Sequence, residues 1–386
     1  MLLVKSMNRR EFQSSLCRFS AAALLAPRLL LRGLERAAVL PSLSSSEDVP
    51  PTIAQLYKNA VVIDTLCDLF HGDPSPGALT AVRGSGITAV NWTISQATLD
   101  GTLEGLAHVQ AVVDAHPDWI TIVRRHSDIA AAKRDGKIGV LLGFQETSFF
   151  EQEPERIELF RNLGVRIMQL TYNKRSLFGD GCLEPGNAGL SAAGIAAVKK
   201  MNGIGVAVDL SHSGYRTTSE GIAASSKPVL ITHSGCAAVY AHPRNKPDEI
   251  LKALADGGGY FGVYLMPYLV ASPTVPTREH VLSHLLHAIN VCGSEHVGIG
   301  SDGSIEKVVL TEEQKTAFEQ DIARRKALGI GAPGEDRYPF VPDLDGPDHM
   351  EIIAAELAKR GQPAAVIEKV LGANFQRVLG DIWGRS

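Results

Sequence analysis

The sequence predicts an α/β protein folded as a (β/α)8 barrel of the TIM type, with additional helices at its C-terminal end. From Val61 onward, apolar segments of strand length alternate with helix-like segments, which is typical of a parallel sheet covered by helices on its faces. Eight or nine such strands within about 320 residues favour a closed barrel; a doubly wound open sheet is the alternative.

Nine segments are predicted as strands, because each is a short and nearly continuous apolar run. They are residues 61–66, 87–94, 119–124, 138–144, 165–171, 206–211, 229–232, 260–265 and 297–301. Helical patterns lie between them, for example over 191–202, which ends before Gly203, and over 247–255, which begins with Pro247. No glycine-rich phosphate-binding pattern follows the first strand, which argues against a nucleotide-binding open sheet.

The C-terminal part of the chain departs from this alternation. Residues 303–346 form a long insertion, with a charged helix predicted over 311–327 and a loop rich in glycine and proline over 329–347. This insertion could cover the mouth of the barrel. The last segment, 348–384, is predicted to form two packed helices that close the fold.

The N-terminal segment, residues 1–48, is predicted to be an export signal with a linker, which leaves a single barrel domain over residues 49–386. Residues 8–12 (NRREF) precede a weakly apolar stretch over 19–26, a pattern typical of twin-arginine signals. The stretch is too short and too interrupted by arginines to span a membrane stably. We therefore expect a periplasmic or secreted protein, with a basic N-terminal tail as the alternative.

Composition excludes some classes of function. The chain has 386 residues, a net charge of −4 and no basic block, so a nucleic-acid partner is not expected. The five cysteines include no C-x-x-C pair, and a disulfide framework is not indicated. His280, His284 and His287 imitate a metal motif, but they fall on one face of a predicted helix and are interpreted as structural.

Two segments carry most of the functional information. Residues 208–212 (VDLSH) and 230–234 (LITHS) are strand-like runs that contain a histidine at or near the end. The carboxyl ends of parallel strands meet at one edge of a sheet, so His212 and His233 should lie together. Neutral imidazole is the commonest protein ligand of zinc-like ions, and the pair therefore indicates a metal site. An ordinary polar residue at a strand end is the alternative for either histidine alone.

Further polar residues stand at the ends of other predicted strands. They are Asp64, Asp68, Gln145, Glu146, Tyr172 and Asp302. A barrel brings such residues to one mouth, whereas an open sheet would scatter them. The set therefore supports both the barrel and a site at its C-terminal end.

Four segments, in this order and spacing, resemble the membrane (renal) dipeptidase family of zinc metallopeptidases, which have amidohydrolase-like barrels. They are residues 208–212 (VDLSH), 231–234 (ITHS), 242–248 (HPRNKPD) and 297–303 (VGIGSDG). The resemblance runs from about Val61 to Trp383 and covers nearly the whole predicted domain. It implies hydrolysis of a dipeptide, or of a related small amide with a free carboxylate, and it suggests a homodimer.

The family holds two zinc ions, and the resemblance assigns ligands by position. His212 and His233 match the two histidines of one ion. Asp302 matches the aspartate of the last strand, and Asp68 matches the aspartate of a first-strand His-x-Asp.

Two positions depart from the family pattern. Leu66 stands where the family has the histidine of His-x-Asp, and Gln145 stands where it has a glutamate that bridges the two ions. Glu146 could replace that bridge only if the strand end twists or bulges, because neighbouring strand residues point to opposite faces. A neutral amide bridges two cations poorly, so we expect one zinc ion at His212 and His233, aided by Gln145 or water.

The resemblance also implies a mechanism in which zinc-bound hydroxide attacks the amide carbon. Asp302 would take a proton from water and pass it to the leaving nitrogen; a turn-capping aspartate is the alternative. Arg244 and Asn245 would bind substrate, Arg244 by a bidentate contact with the carboxylate; a surface salt bridge is the alternative for Arg244. Tyr172 would contact the substrate and donate a hydrogen bond to a developing oxyanion, or else be structural.

Three functions stay open at this point. The first is a metal-dependent hydrolase of dipeptides or N-acyl amino acids. The second is a single-metal enzyme of the same barrel type that acts on another amide or a lactone, or that decarboxylates. The third is a non-catalytic barrel that binds a ligand or partner protein. The two departures support the second and third, whereas the intact histidines, Asp302 and Arg244 speak against the third.

Overall fold

The structure is a computed structural model that describes residues 51–70, 74–150, 153–327 and 331–385. The predicted export signal, residues 1–48, lies outside the described residues. No helix within the described ranges is both long and apolar enough to cross a bilayer. The four cysteines of these ranges are free thiols.

The strands form a parallel barrel, as predicted. They are β1 Ile63–Asp64, β2 Cys67–Asp68, β3 Ala89–Thr93, β4 Ile120–Ile122, β5 Ile138–Phe144, β6 Val165–Gln169, β7 Ala207–Asp209, β8 Leu230–Ser234, β9 Tyr260–Val263, β10 Val297–Ile299 and β11 Gly303–Ser304. The order around the sheet is β1-β3-β5-β6-β7-β8-β9-β10. β4 pairs with the first half of β5, and β6 pairs with its second half from Leu142 onward.

The barrel closes where its first and last strands meet. The Thr65 amide donates to the Ile299 carbonyl oxygen at 3.0 Å, and the Asp302 amide donates to the Leu66 carbonyl oxygen at 2.8 Å. The short strands β2 and β11 continue this seam as a parallel pair. Because of this pairing, the segment that carries Asp68 lies directly beside the segment that follows Asp302.

Helices cover the outside of the barrel. They are α1 Pro51–Asn59, α2 Pro76–Gly84, α3 Leu99–Ala115, α4 His126–Arg134, α5 Arg156–Asn162, α6 Ala192–Ile204, α7 Tyr215–Ala224, α8 Asp248–Asp256, α9 Arg278–Cys292, α10 Glu312–Ala327, α11 His349–Lys359, α12 Ala364–Glu368 and α13 Asn374–Trp383. The Ser191 side chain accepts from Gly194 N and caps α6, and Gly205 ends it in the left-handed conformation. Both observed boundaries of this helix are thus explained by local chemistry, and its last residue, Ile204, lies two residues beyond the predicted end.

The core has two layers. Their apolar side chains surround the barrel and fill the end where its strands begin. The larger apolar cluster lies between the strands and the surrounding helices. The smaller cluster takes alternate strand residues, among them Ile63, Leu141 and Leu230, and packs them against Phe375 and Leu379 of α13. The C-terminal helix therefore plugs the end of the barrel where the strands begin, and the opposite end is left for polar side chains.

The insertion lies against loops at the C-terminal end of the barrel. The His242 Nε2 atom is 2.7 Å from the Pro333 carbonyl oxygen, and Arg337 Nη1 donates to the carbonyl oxygens of Val270 and Thr274. These contacts agree with the expectation that the insertion could cover this mouth. Its charged helix is α10, whose observed bounds differ by one residue at the start from those predicted.

All nine predicted strands are present, with ends trimmed in most cases. The one predicted over 229–232 extends to Ser234, so that His233 lies inside β8. The C-terminal tail was predicted as two helices and forms three, α11 to α13. A π-helical segment over Lys369–Ala373 joins the last two.

Candidate active site

Four of the predicted site residues lie at or just after the ends of different strands and meet at the C-terminal end of the barrel. His212 follows β7, His233 lies in β8, Gln145 follows β5 and Asp302 follows β10. The imidazole centroids of His212 and His233 are 5.0 Å apart. The structure therefore brings together the two histidines that the sequence singled out.

His212 is oriented by the polar loop after β6. Its Nδ1 atom is 2.8 Å from Asn173 Oδ1, an oxygen that can only accept a hydrogen bond. The proton of the neutral ring is thus on Nδ1, and Nε2 carries the lone pair. The ring also stacks on Tyr172, with centroids 4.2 Å apart and planes inclined by 23°.

His233 is oriented from its own strand and from β7. Its Nδ1 atom is 2.8 Å from the Thr232 hydroxyl, and that hydroxyl donates to Asp209 Oδ2 at 2.6 Å. Because the single hydroxyl proton is used on the carboxylate, His233 Nδ1 must donate, and its Nε2 carries the lone pair. Burial raises the pKa of Asp209, while hydrogen bonds from Ser211 and Thr232 oppose that rise.

The Gln145 amide stands between His233 and Asp302. Its Nε2 atom is 3.1 Å from His233 Nε2 and 3.2 Å from Asp302 Oδ1. Both partners are acceptors, so the amide must present its NH2 group to them. The NH2 group of Gln145 therefore occupies the point toward which the lone pair of His233 and the carboxylate of Asp302 are both directed.

Asp302 has an unusual backbone conformation for a residue with a side chain. Its φ is +59°, in the left-handed region that non-glycine residues rarely adopt and that occurs most often at functional sites. The alternative role of turn capping is served instead by Ser301, whose hydroxyl accepts from the Gly303 amide at 3.4 Å. The Asp302 carboxylate is left to face Gln145.

Glu146 does not replace the bridging glutamate. Its Oε1 atom accepts from the amides of Thr147 and Ser148, at 2.8 and 2.7 Å, and so caps the short turn that follows β5. The strand end is not twisted enough to bring this carboxylate to the histidines. The neutral Gln145 is thus the side chain that β5 contributes to this place.

The first strand carries the other departure. Leu66 is only 3% exposed, yet it is not among the side chains that build the two apolar clusters of the described residues. Cys67 is part of the larger apolar cluster, where its thiol packs as a small apolar side chain. Asp68, half-buried in β2, is the one predicted ligand from this strand.

Arg244 is buried rather than placed on the surface. Its guanidinium donates to the Ser211 carbonyl oxygen at 2.6 Å, lies 3.5 Å from the His233 carbonyl oxygen, and sits 5.6 Å from the centroid of the Tyr264 ring. The alternative of a surface salt bridge is excluded, because Arg244 is only 2% exposed. The described residues place no carboxylate within ion-pair distance of Arg244.

Asn245, expected to bind substrate, is used inside the protein. Its amide nitrogen donates to the carbonyl oxygens of Tyr240 and Tyr268, and its oxygen accepts from the Tyr264 hydroxyl at 2.6 Å. The structure supports a role in holding the loop that bears Arg244, and it does not support the predicted substrate contact.

The three histidines of α9 are structural, as predicted. His284 is buried, accepts from the Cys236 amide and contacts the Leu269 carbonyl oxygen; burial lowers its pKa to about 4. His287 pairs with Asp248 at 2.8 Å. His280 Nδ1 lies 3.0 Å from the Thr277 hydroxyl at the start of the helix.

Sequence reasoning missed the residues behind the site. Asn173 was not singled out, and Thr232 and Asp209 appeared only as parts of strand motifs. A polar residue directly before His233, and a buried aspartate inside an apolar run, were the signals available. Both residue types need partners when buried, and here they partner each other.

The residues at the barrel mouth offer donor atoms suited to a divalent metal ion. Among the described residues, no three His, Cys, Asp or Glu side chains are close enough together to coordinate one metal ion. The lone pairs of His212 and His233 are nevertheless fixed by their outer partners, as is usual for metal-binding histidines, and Asp302 faces the same amide as His233. At the first strand, Leu66 offers no donor for a second ion.

Comparisons with known proteins agree with this geometry. Residues 77–319 match the description Membrane dipeptidase (Peptidase family M19). Dipeptidase verJ of Clonostachys rogersoniana is 32% identical over 74% of this chain, and dipeptidase tcpJ of Claviceps purpurea is 27% identical over 75%. This chain covers 66% and 61% of the lengths of those two relatives, less than two thirds.

A solved structure shares both fold and sequence. The crystal structure of an amidohydrolase from Pseudomonas aeruginosa is 32% identical, with a TM-score of 0.74, over 86% of this chain and 99% of that one. The family match, which spans more than half of the chain, and this structural agreement lead to one conclusion: the chain belongs to the membrane dipeptidase family, peptidase family M19.

Proposed function

We propose that this protein is a metal-dependent hydrolase that cleaves a dipeptide, or a related small amide with a free carboxylate, using a single zinc ion. The observation that carries the proposal is the position of Arg244, a buried cation beside two histidines whose lone pairs are fixed. Burying a charge is costly unless it is paired. A substrate carboxylate would supply a directly bonded partner at the moment of binding, in addition to the charge of Asp302, which favours the protonated guanidinium from beyond ion-pair distance.

The metal would be held by His212 and His233, with Asp302 or the Gln145 oxygen completing the site. Gln145 would then have to present its oxygen instead of its NH2 group. A bound divalent ion supplies Lewis acidity toward a carbonyl oxygen and toward water. Asp68 remains a candidate ligand for a weaker second ion, which Leu66 leaves without an imidazole.

Asp302 is proposed as the residue that moves the proton. Its carboxylate faces the site at the end of β10, and its backbone conformation fixes that direction. It would accept a proton from the attacking water and deliver it to the leaving nitrogen. Asp302→Asn should therefore lower kcat much more than it changes KM for the same substrate.

Tyr172 is proposed to line the substrate pocket and to donate a hydrogen bond to the developing oxyanion. Its ring is fixed by stacking on His212, so the hydroxyl is carried on a rigid support. Tyr172→Phe separates this role from packing, since it keeps the stacked ring. A kcat that falls with little change in KM supports the role, and an unchanged kcat contradicts it.

The first experiment joins metal content to a substrate screen. Zinc per chain is measured by plasma mass spectrometry after gentle dialysis, and the same sample is tested on dipeptides and N-acyl amino acids. We expect about one ion per chain and turnover of substrates with a free carboxylate. Two ions would show that the first-strand site is competent despite Leu66, and no metal with no turnover would favour a non-catalytic binding barrel.

A matched pair of variants controls this experiment. His212→Ala should lose metal and turnover together. His287→Gln, on the outer face of α9, should keep both, because this histidine only contacts Asp248. The departures at Leu66 and Gln145 make a non-peptidase enzyme of the same barrel type the second candidate function. Turnover confined to N-acyl amino acids or lactones would favour that candidate.

Location and assembly are proposals of the same kind. The twin-arginine pattern over residues 8–12 supports export to the periplasm or beyond. A homodimer is proposed from the family resemblance. Fractionation of the native host and light scattering of the purified protein test these two points directly.

A further inference from the structure

We infer that Asp209 is a positioning residue for the active site, which acts on His233 through the Thr232 hydroxyl and on Arg244 through Ser211. This inference rests on the proposed role of His233 as a metal ligand. It assigns a function to a carboxylate that lies behind the site and contacts neither histidine directly. Asp209 is 1% exposed and lies at the end of β7.

The carboxylate is surrounded by donors from two neighbouring strands. Its Oδ1 atom accepts from the Ser211 amide at 2.9 Å, from the Ser211 hydroxyl, and from the Thr232 amide at 3.2 Å. Its Oδ2 atom accepts from the Thr232 hydroxyl at 2.6 Å. This arrangement is suited to an acceptor-only group, and it fixes the direction of every proton around it.

The direction of those protons decides the tautomer of His233. The Thr232 hydroxyl has one proton, which it donates to Asp209. It can therefore only accept a hydrogen bond from His233 Nδ1, at 2.8 Å. The lone pair of the ring is then on Nε2, the atom that faces Gln145. A carboxylate thus reaches the imidazole through one hydroxyl, without touching it.

Thr232 is held firmly enough to transmit this effect. Its carbonyl oxygen accepts from the Thr65 hydroxyl at 2.7 Å inside the barrel. A side chain at Gly262, in β9, or at Gly300, after β10, would collide with that carbonyl, so these glycines allow the backbone to approach it closely. The Thr232 backbone is therefore held in place, and the contacts with Asp209 and His233 hold its hydroxyl.

The same carboxylate braces the residue that receives Arg244. Asp209 binds both the amide and the hydroxyl of Ser211, and the Ser211 carbonyl oxygen accepts from Arg244 at 2.6 Å. The Ser211 hydroxyl also accepts from the His233 amide at 3.2 Å. Asp209 therefore links the histidine proposed to hold metal with the arginine proposed to hold substrate.

His212 provides an internal contrast. Its Nδ1 atom donates to the neutral amide oxygen of Asn173, in a loop on the other side of the site. One histidine is therefore supported by a charged relay and the other by a neutral amide. The two rings thus have the same tautomer fixed by different partners, one a carboxylate acting through a hydroxyl and the other an amide oxygen.

The chain of hydrogen bonds from Asp209 through the Thr232 hydroxyl to His233 is called the relay below. Asp209→Asn tests it most sharply, because this change reverses the direction of both hydrogen bonds. Three donors surround Oδ1, so the asparagine oxygen must stay there and its NH2 group must face Thr232. The Thr232 hydroxyl then accepts from the amide and donates to His233 Nδ1, which moves the ring proton to Nε2. Thr232→Val removes the relay without reversing it, and Thr232→Ser keeps it.

The experiment measures tautomer and metal affinity on the same samples. Proteins labelled with ¹⁵N-histidine are examined by NMR without metal, with His233→Gln used to assign the resonance. Zinc affinity is measured by competition with a chelator. We expect the Nδ1-protonated form of His233 in wild type and Thr232→Ser, the Nε2-protonated form in Asp209→Asn, and a loss of zinc affinity of about 10–100-fold in Thr232→Val and Asp209→Asn.

The matched control is Thr102→Val, which removes another buried hydroxyl that contacts only backbone atoms near α3. An unchanged His233 tautomer in folded Asp209→Asn protein would overturn the inference. A changed tautomer with unchanged zinc affinity would confirm the relay and refute His233 as a metal ligand. If Asp209→Asn fails to fold, the contrast between Thr232→Val and Thr232→Ser decides the same question. Asp209→Ala removes the acceptor of the Ser211 amide and hydroxyl and should also raise KM, whereas Thr232→Val keeps that acceptor and should leave KM nearly unchanged.

Discussion

Replacing Arg244 with methionine tests whether its guanidinium recognises a substrate carboxylate. The side chain is buried, donates to one backbone carbonyl oxygen at 2.6 Å and has no carboxylate partner among the described residues. A carboxylate bound in the fork would accept two charge-assisted hydrogen bonds, each worth about 1.5–3 kcal/mol. At the lower value, losing both costs about 3 kcal/mol, or roughly a hundredfold in kcat/KM.

The assay compares the best dipeptide of the screen with the same dipeptide carrying a C-terminal amide. Wild type should prefer the free acid strongly. Arg244→Met should lose about a hundredfold on the acid and little on the amide, so that the preference disappears. Arg244→Lys keeps the positive charge without the planar fork and should fall between the two.

An equal loss on both substrates would refute carboxylate recognition. It would mean that Arg244 acts by holding the strand ends, through its hydrogen bond to the Ser211 carbonyl oxygen. Urea unfolding separates this case from a general loss of fold. Leaving that buried carbonyl without its donor should cost about 1–3 kcal/mol of unfolding free energy.

Three further predictions concern the metal and the seam of the barrel. His233→Ala should abolish zinc binding and turnover while leaving the urea midpoint nearly unchanged; retained turnover would refute the metal mechanism. Leu66→His combined with Gln145→Glu should raise the zinc content from about one toward two ions per chain, and an unchanged content would show that these strands were matched wrongly. His349 forms a buried ion pair with Asp64 at 3.0 Å; burial alone would lower the pKa of His349, but the hydrogen bond and charge of Asp64 outweigh it and raise that pKa. The pair's stabilisation is therefore full below the unfolded pKa of about 6.5 and is lost as pH rises through the raised folded value. His349→Leu should cost about 3–5 kcal/mol at pH 6 and less in alkaline solution, and a cost that grows with pH would contradict this sign.

The strands were predictable because their signal is local. A run such as residues 138–144 is apolar throughout, as a strand buried on both faces must be, and β5 has those bounds. The two-residue strands β2 and β11 have no such signal, since they exist only because the barrel closes there. The ion pair between Asp64 and His349 joins residues 285 positions apart, and no local pattern announces it.

The site was predictable in its members but not in their directions. His212, His233 and Asp302 could be named from strand ends and motif spacing. Whether Asn245 faces substrate or the protein depends on the Tyr264 hydroxyl, which another strand delivers. In the same way, the sequence left a surface salt bridge open as the alternative for Arg244, and the tertiary structure shows that this residue is buried.

The two departures at Leu66 and Gln145 make sense as a pair. With leucine on the first strand, a second cation has lost an imidazole ligand, and a glutamate at 145 would place its charge beside the Asp302 carboxylate without that cation. A glutamine there donates a hydrogen bond to the same carboxylate at 3.2 Å instead. Gln145→Glu alone should therefore destabilise the metal-poor protein, and Leu66→His alone should gain little zinc, because each lacks what the other provides. Zinc affinity measured on both single variants and the double variant should show strong non-additivity, and simple additivity would mean that the two positions do not share a metal site.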